Sequence, residues 1–254
     1  MAKKKPRTPT PPRSGGARPV QAPRQRTTPR RDDVGLRHRN ALYAAAGIGA
    51  AALVAIVLAI VLTGGASGSS DKHVASLMTK AGCSYKTVPA FVPKGQNVHV
   101  NSLTKKLPWN TDPPSNGQHY PEWAVWGFYT EPINPRRVVH NEEHGGVVLW
   151  WGSKVSSQTV ADLHSFYNEQ PTGSFGTPYP TLGSKIAISA WTGDPTRYGQ
   201  DGYYGQGHLA ICPGYDSATK KAFEAFRDAY RGHGPEGIPL SADQPGMGPQ
   251  AAMP

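Results

Sequence analysis

The chain has 254 residues, with 27 Lys and Arg against 17 Asp and Glu for a formal net charge of +10, and it carries nine His and two Cys. The charge is unevenly spread: residues 1–40 hold twelve basic and two acidic side chains and so carry the whole excess, while 41–254 balance at fifteen of each. That balance removes nucleic acid as an expected partner of everything beyond the tail, because the basic pI describes the first 40 residues alone.

Residues 1–40 interleave their basic side chains with Pro6, Pro9, Pro11, Pro12, Pro19, Pro23 and Pro29. Such a segment cannot bury a core and is expected to be a disordered cytoplasmic tail. Its charge serves as a topology signal and suits anionic inner-leaflet lipid, where each basic residue contributes about 1 kcal/mol.

An uncharged run from Ala41 to Leu62 follows. At about 1.5 Å per residue it is long enough to cross a hydrocarbon core of about 30 Å, which predicts a transmembrane helix over 41–63. Arg37 and Arg39 abut the run and the next basic residue beyond it is Lys72, so the N-terminus is expected inside and the C-terminal domain outside. The alternative is a cleaved signal peptide, whose apolar core is usually about 7–15 residues long. Either way the expected location is extracytoplasmic, anchored by one span in a bacterial plasma membrane. Residues 64–74, which begin with Gly and Ser, read as a flexible linker.

Residues 75–240 have the length of one domain. Strands are expected at 123–129, at Arg137-Val138-Val139-His140, at 146–151, at 185–191 and at 208–212, where β-branched and aromatic runs are bounded by polar residues or Gly. Ser157 can cap a helix carrying Val160, Leu163, His164 and Tyr167, and Ser217 can cap one carrying Phe223, Phe226 and Tyr230. His164 is expected in the core and His233 in solvent. Helices and strands interleave without strict alternation, so the fold class is α+β with a mixed or antiparallel sheet. Residues 241–254 are expected to be a disordered tail. Cys83 and Cys212 both follow the span; an isolated pair in an oxidising compartment usually joins, the alternatives being two free thiols or soft metal ligands.

Chemistry concentrates in His140-Asn141-Glu142-Glu143-His144-Gly145-Gly146. Its spelling fits H-x-x-E-H, in which two His on one helix hold zinc. The flanking Val pair and Gly pair favour instead a tight loop between two strands, with Gly145 and Gly146 supplying positive φ. His119, in a loop stiffened by Pro113, Pro114 and Gly117, is aimed at the same place, and His99 and His208 can converge on it. The candidate ligands are His99, His119, His140, Glu143 and His144, a set suited to zinc or copper.

At these residues the chain resembles a bacterial family known as domain of unknown function 3105. The resemblance rests on Ala81-Gly82-Cys83, His99-Val100, Asp112-Pro113-Pro114-x-x-Gly117-x-His119-Tyr120, His140-Asn141-x-Glu143-His144-Gly145-Gly146-Val147-Val148 and Tyr230-Arg231-Gly232-x-Gly234-Pro235-Glu236. It implies an envelope protein, often membrane-anchored, and brings no reaction, ligand set or protein partner with it. Beside the metal-binding reading stand two others. One is a metal-dependent hydrolase with Glu143 as general base. The other is a non-catalytic module that uses Trp109, Trp123, Trp126, Trp150, Trp151 and Trp191 to stack on glycan or contact a partner protein.

Overall fold

The computed structural model describes residues 66–249. The basic tail and the expected span at 41–63 lie outside the described residues. Among those described, no helix is long and apolar enough to cross a membrane.

Nine regular elements make an α+β domain: α1 (Ala66–Lys80), β1 (Ser84–Pro89), α2 (Pro135–Glu143), β2 (Val147–Trp151), α3 (Ser157–Glu169), β3 (Ser174–Pro178), β4 (Ile186–Thr192), β5 (Gln206–Cys212) and α4 (Ser217–Tyr230). The strands form one sheet in the order β1-β5-β4-β2-β3. The β2/β3 pair is parallel and its crossover is α3; the other three pairs are antiparallel.

Alternation along β2 builds two apolar layers. Val147, Leu149 and Trp151 face the layer filled by Met78 of α1, Leu163 and Phe166 of α3, and Phe223 and Phe226 of α4. Val148 and Trp150 face the other way, onto Trp126, Ile133 and Val138 of α2. A sheet buried on both faces needs apolar residues at successive positions, which is why β2 reads as an unbroken Val-Val-Leu-Trp-Trp run. Cys83, just before β1, and Cys212, at the end of β5, are joined in a disulfide across neighbouring antiparallel strands.

The expected strands at 146–151, 185–191 and 208–212 are β2, β4 and β5. Both expected helices form, each capped one residue earlier than its sequence suggested. The Ser156 hydroxyl accepts from the Thr159 amide at 3.1 Å, and the Asp216 carboxylate accepts from that of Thr219 at 2.8 Å.

Five expectations are corrected. Arg137-Val138-Val139-His140 is helical: it lies in α2, whose N-terminus carries Asn134 as cap and Pro135 in the first turn. Residues 123–129 make no strand beyond the single parallel bridge Phe128↔Gly176, because Trp126 turns into the core instead of extending the sheet edge. Residues 66–74 belong to α1; Val74 and Met78, four apart, bury fully against the core, and that packing overrides the Gly/Ser composition before them. In the stretch from 241, Asp243 is buried and Trp126 exchanges backbone hydrogen bonds with Gly246 and Met247 at 2.8 and 2.9 Å, so this largely exposed segment is anchored to the domain at those residues. His164 sits on the exposed side of α3, its ring 4.7 Å from that of Phe128, because Leu163, Phe166 and Tyr167 already fill the buried stripe. His233 is exposed, as expected.

Candidate metal centre

The site is built on α2, and the helix stops in a way its sequence encodes. His144 is the C-cap and Gly145 adopts φ +107°. The Gly145 amide bonds to the Glu142 carbonyl and the Gly146 amide to that of Asn141, both at 2.9 Å, which is the paired closure of a Schellman motif. The Gly pair therefore ends a helix instead of closing a loop between strands. On that helix His140, Glu143 and His144, at i, i+3 and i+4, share one face. Glu142 points the opposite way into the core, where the Ser189 hydroxyl donates to it and burial pushes its carboxyl well above the usual range.

The long connection 90–134 delivers the remaining imidazoles. His99 and His119 form an isolated parallel bridge: the Val100 amide bonds to the His119 carbonyl at 2.7 Å, and the His119 amide to the Val98 carbonyl at 3.0 Å. Two segments twenty residues apart in sequence thus place their rings 4.8 Å apart. The Asn141 side chain clamps the same connection to α2, accepting from the Ala124 amide and donating to the Ala124 carbonyl, each at 2.9 Å. Trp123 is thereby laid against the rings of His140 and His144 at 5.5 and 4.7 Å.

The result is a knot of four donors. Glu143 Oε2 lies 2.9 Å from His119 Nε2, 3.4 Å from His99 Nε2 and 3.7 Å from His140 Nε2. Donor atoms of all four residues fall within 4.8 Å of one another. A tetrahedral zinc with bonds of about 2.0–2.1 Å places its ligands about 3.3–3.4 Å apart, so these separations match a coordination shell.

The distal nitrogens fix the tautomers. Nδ1 of His119 donates to the Gly117 carbonyl at 2.8 Å and Nδ1 of His140 donates to the Tyr120 carbonyl at 2.9 Å. Each ring then turns Nε2 toward the carboxylate, the orientation that backbone carbonyls impose on metal-ligating His. His119 Nε2 is buried and has no hydrogen-bond partner. A proton can bridge one of these imidazole–carboxylate pairs but not three at once, so three Nε2 atoms converging on one oxygen fit a metal.

Electrostatics agree. Burial alone would raise the Glu143 carboxyl, but the facing imidazoles of His119, His99 and His140 outweigh it and hold it below the usual carboxylate range. Burial, and then the neighbouring His119, lowers His140 to about 3, leaving it a neutral ligand at physiological pH. The half-exposed His99 moves the other way, raised by its contact with Glu143. Tyr198 donates its hydroxyl to Glu143 Oε1, so Oε2 alone faces the rings.

Of the five candidate ligands, His99, His119, His140 and Glu143 meet. His144 stands beside them in a second group with His140 and Glu236, its Nε2 3.6 Å from Glu236 Oε2 and its Nδ1 3.4 Å from Asp243 Oδ1. His208 does not converge. It stacks on Tyr230 at 4.0 Å between centroids and bonds to the Thr192 hydroxyl at 2.8 Å. Glu236, Tyr198 and Asp243 were not among the sequence candidates, although Glu236 closes one of the motifs that carry the family resemblance. Trp126, Trp150, Trp151 and Trp191 are buried and Trp109 and Trp123 partly so, which leaves no exposed Trp for a stacking platform. Tyr198 occupies one oxygen of Glu143 and the three rings face the other.

No curated protein and no solved structure matches the chain. A family model described as a protein of unknown function (DUF3105) matches residues 99–241, a stretch that holds every residue of the His/Glu cluster, and on that match, over more than half its length, the chain belongs to this family.

Proposed function

We propose that this domain binds one transition-metal ion, zinc or copper, through His99, His119, His140 and Glu143. We propose further that it does so on the outer side of a bacterial plasma membrane, tethered by the span at 41–63. The observation that carries the metal reading is the convergence of three imidazole Nε2 atoms on one Glu143 oxygen, that of the buried His119 nearest at 2.9 Å. Three neutral rings and one carboxylate leave a bound dication with a net +1. The donor set of imidazole and carboxylate suits zinc or copper better than calcium or magnesium. Four protein donors are the number found in closed, non-catalytic sites, and this favours binding over hydrolysis. The exported location is supported by the disulfide, which persists in oxidising compartments, and by the basic residues that precede the apolar run.

The test is the metal content of the purified full chain after equilibration with Zn²⁺ or Cu²⁺ and removal of excess ion. The wild type is expected to retain one ion per chain. Glu143→Gln and His99→Ala are expected to weaken retention by at least about tenfold, the smallest effect typical of disturbing a metal shell. The half-exposed His99 contributes little packing, so its variant separates ligand loss from unfolding. Equal, near-zero content in all three proteins overturns the proposal.

A further inference from the structure

The second donor group, His140 with His144 and Glu236, shares a residue with the first, and the manner of sharing decides what it can do. Nδ1 of His140 is committed to the Tyr120 carbonyl, so only Nε2 is available to either group. One imidazole nitrogen cannot hold two cations, and the pair of groups is therefore not a dinuclear centre. They are alternative positions for one ion. Both groups reach solvent, the first through His99, whose side chain is 37% exposed, and the second through Glu236 at 27%, while His119 and Glu143 are fully buried.

Resting on the metal-binding reading above, we propose that His144 and Glu236 form a loading half-site, through which a divalent transition ion passes to the buried ligands by exchange at His140. Glu236 meets the hydrated ion, His144 Nε2 lies 3.6 Å inside it, and His140 is common to both groups. Asp243 lies 3.4 Å from Nδ1 of His144 on the opposite side of the ring, where a carboxylate orients the other nitrogen toward an ion.

The half-site is held in place by backbone. The loop after α4 crosses the end of α2, with the Gly232 amide bonded to the Gly145 carbonyl at 2.8 Å. A Cβ on Gly234 would come within 2.3 Å of the Glu143 carbonyl oxygen, so only Gly lets this loop carry Glu236 so close to the cluster. Stepwise exchange matters because an ion leaving the inner shell directly must replace its protein donors with water alone. With His140 kept, His144 and Glu236 can take the places of departing donors one at a time, and a shared intermediate of that kind speeds entry and exit equally.

The experiment compares metal-free full-length wild type with Glu236→Gln. It follows Zn²⁺ uptake by stopped flow and release to a chromophoric chelator, with Kd and stoichiometry measured on the same samples. The expected result is one Zn²⁺ per chain in both proteins and Kd within about twofold. Loading and release should both slow by about tenfold, the size usual for outer-shell partners. His144→Asn should show the same signature. Unchanged rates mean that the ion enters past His99 and overturn the relay while leaving the metal site standing. Weakened Kd at unchanged loading makes Glu236 a permanent ligand, and two ions per wild-type chain make the groups separate sites; either result overturns the relay. No uptake by wild type overturns the relay together with the reading beneath it.

Discussion

Replacing both Cys83 and Cys212 by Ala should destabilise the domain severely, and the size follows from topology. The bond joins residues 129 apart in sequence, ahead of β1 and at the end of β5, so it closes a loop that holds all five strands with α2 and α3 and leaves α1 and α4 outside. On the chain-entropy account, a loop of that length restricts the unfolded chain by about 5 kcal/mol. For a domain of roughly 150–250 residues each kcal/mol moves Tm by about 2–4 °C, so the double variant should melt about 10–20 °C below the oxidised wild type. Circular dichroism melts of the full chain at matched metal content measure this. Wild type reduced in mild denaturant and then refolded should melt with the variant, since both lack the same constraint. A fall of only about 3 °C would refute the reasoning, because lost sulfur packing alone accounts for that much. It would also weaken the case for an oxidising compartment, since a bond contributing so little gives no reason to place the chain where it persists.

Two more outcomes follow from groups at and away from the cluster. Burial lowers His208 to about 4, with Asp71 partly opposing, whereas the unfolded chain binds that proton near 6.5. The unfolded state is then favoured as pH falls from about 6.5 to 4, costing about 3 kcal/mol over that window and levelling off below it. Denaturant titrations at successive pH values should show a slope in wild type that is shallower by this amount in His208→Gln, with the buried His140 supplying a remainder of the same sign; equal slopes would mean His208 is protonated in the fold. Gly145→Ala forces an L residue to φ +107° and sets its Cβ 2.9 Å from the Gly234 amide nitrogen. It should cost about 1–3 kcal/mol and slow Zn²⁺ loading by displacing the Glu236 loop. Wild-type stability in this variant would show that the loop is free to move away.

Sequence pattern located most of the fold wherever a segment's own residues decide its structure. β2, β4 and β5 announce themselves because sheet burial on both faces demands apolar runs, and α3 and α4 because their buried stripes recur at helical spacing. Failures occurred where packing from outside the segment decides. Val138 and Val139 favour strand locally, yet Asn134-Pro135 ahead of them and Gly145-Gly146 behind them punctuate a helix, and the caps outweighed the β-branched pair. Residues 66–74 look like linker until Val74 and Met78 meet α4. β1 and β3 were not anticipated: β1 is an edge strand with mostly exposed residues, and β3 carries Gly176, which a Cβ would drive to 2.3 Å from the Phe128 ring.

The misjudged helix shows why the candidate ligands converged even though the local conformation was misread. Convergence depends on which residues have chemistry worth burying, and four of the five carry it whether they ride on a loop or a helix. What the helix adds is direction. On α2 the five-residue motif is sorted by direction: Glu143 and His144 keep to one face, toward His99 and His119 and toward Glu236, while Glu142 turns into the core under Ser189. Two adjacent carboxylates of identical chemistry thus acquire opposite states, one held ionised by imidazoles and one held neutral by burial. Glu142→Gln should accordingly leave metal retention intact, whereas Glu143→Gln should abolish most of it. The two single variants make the same substitution one position apart, so a difference between them reports the direction, and with it the charge state, that the helix gives each carboxyl; equal loss in both would return the motif to an undirected loop.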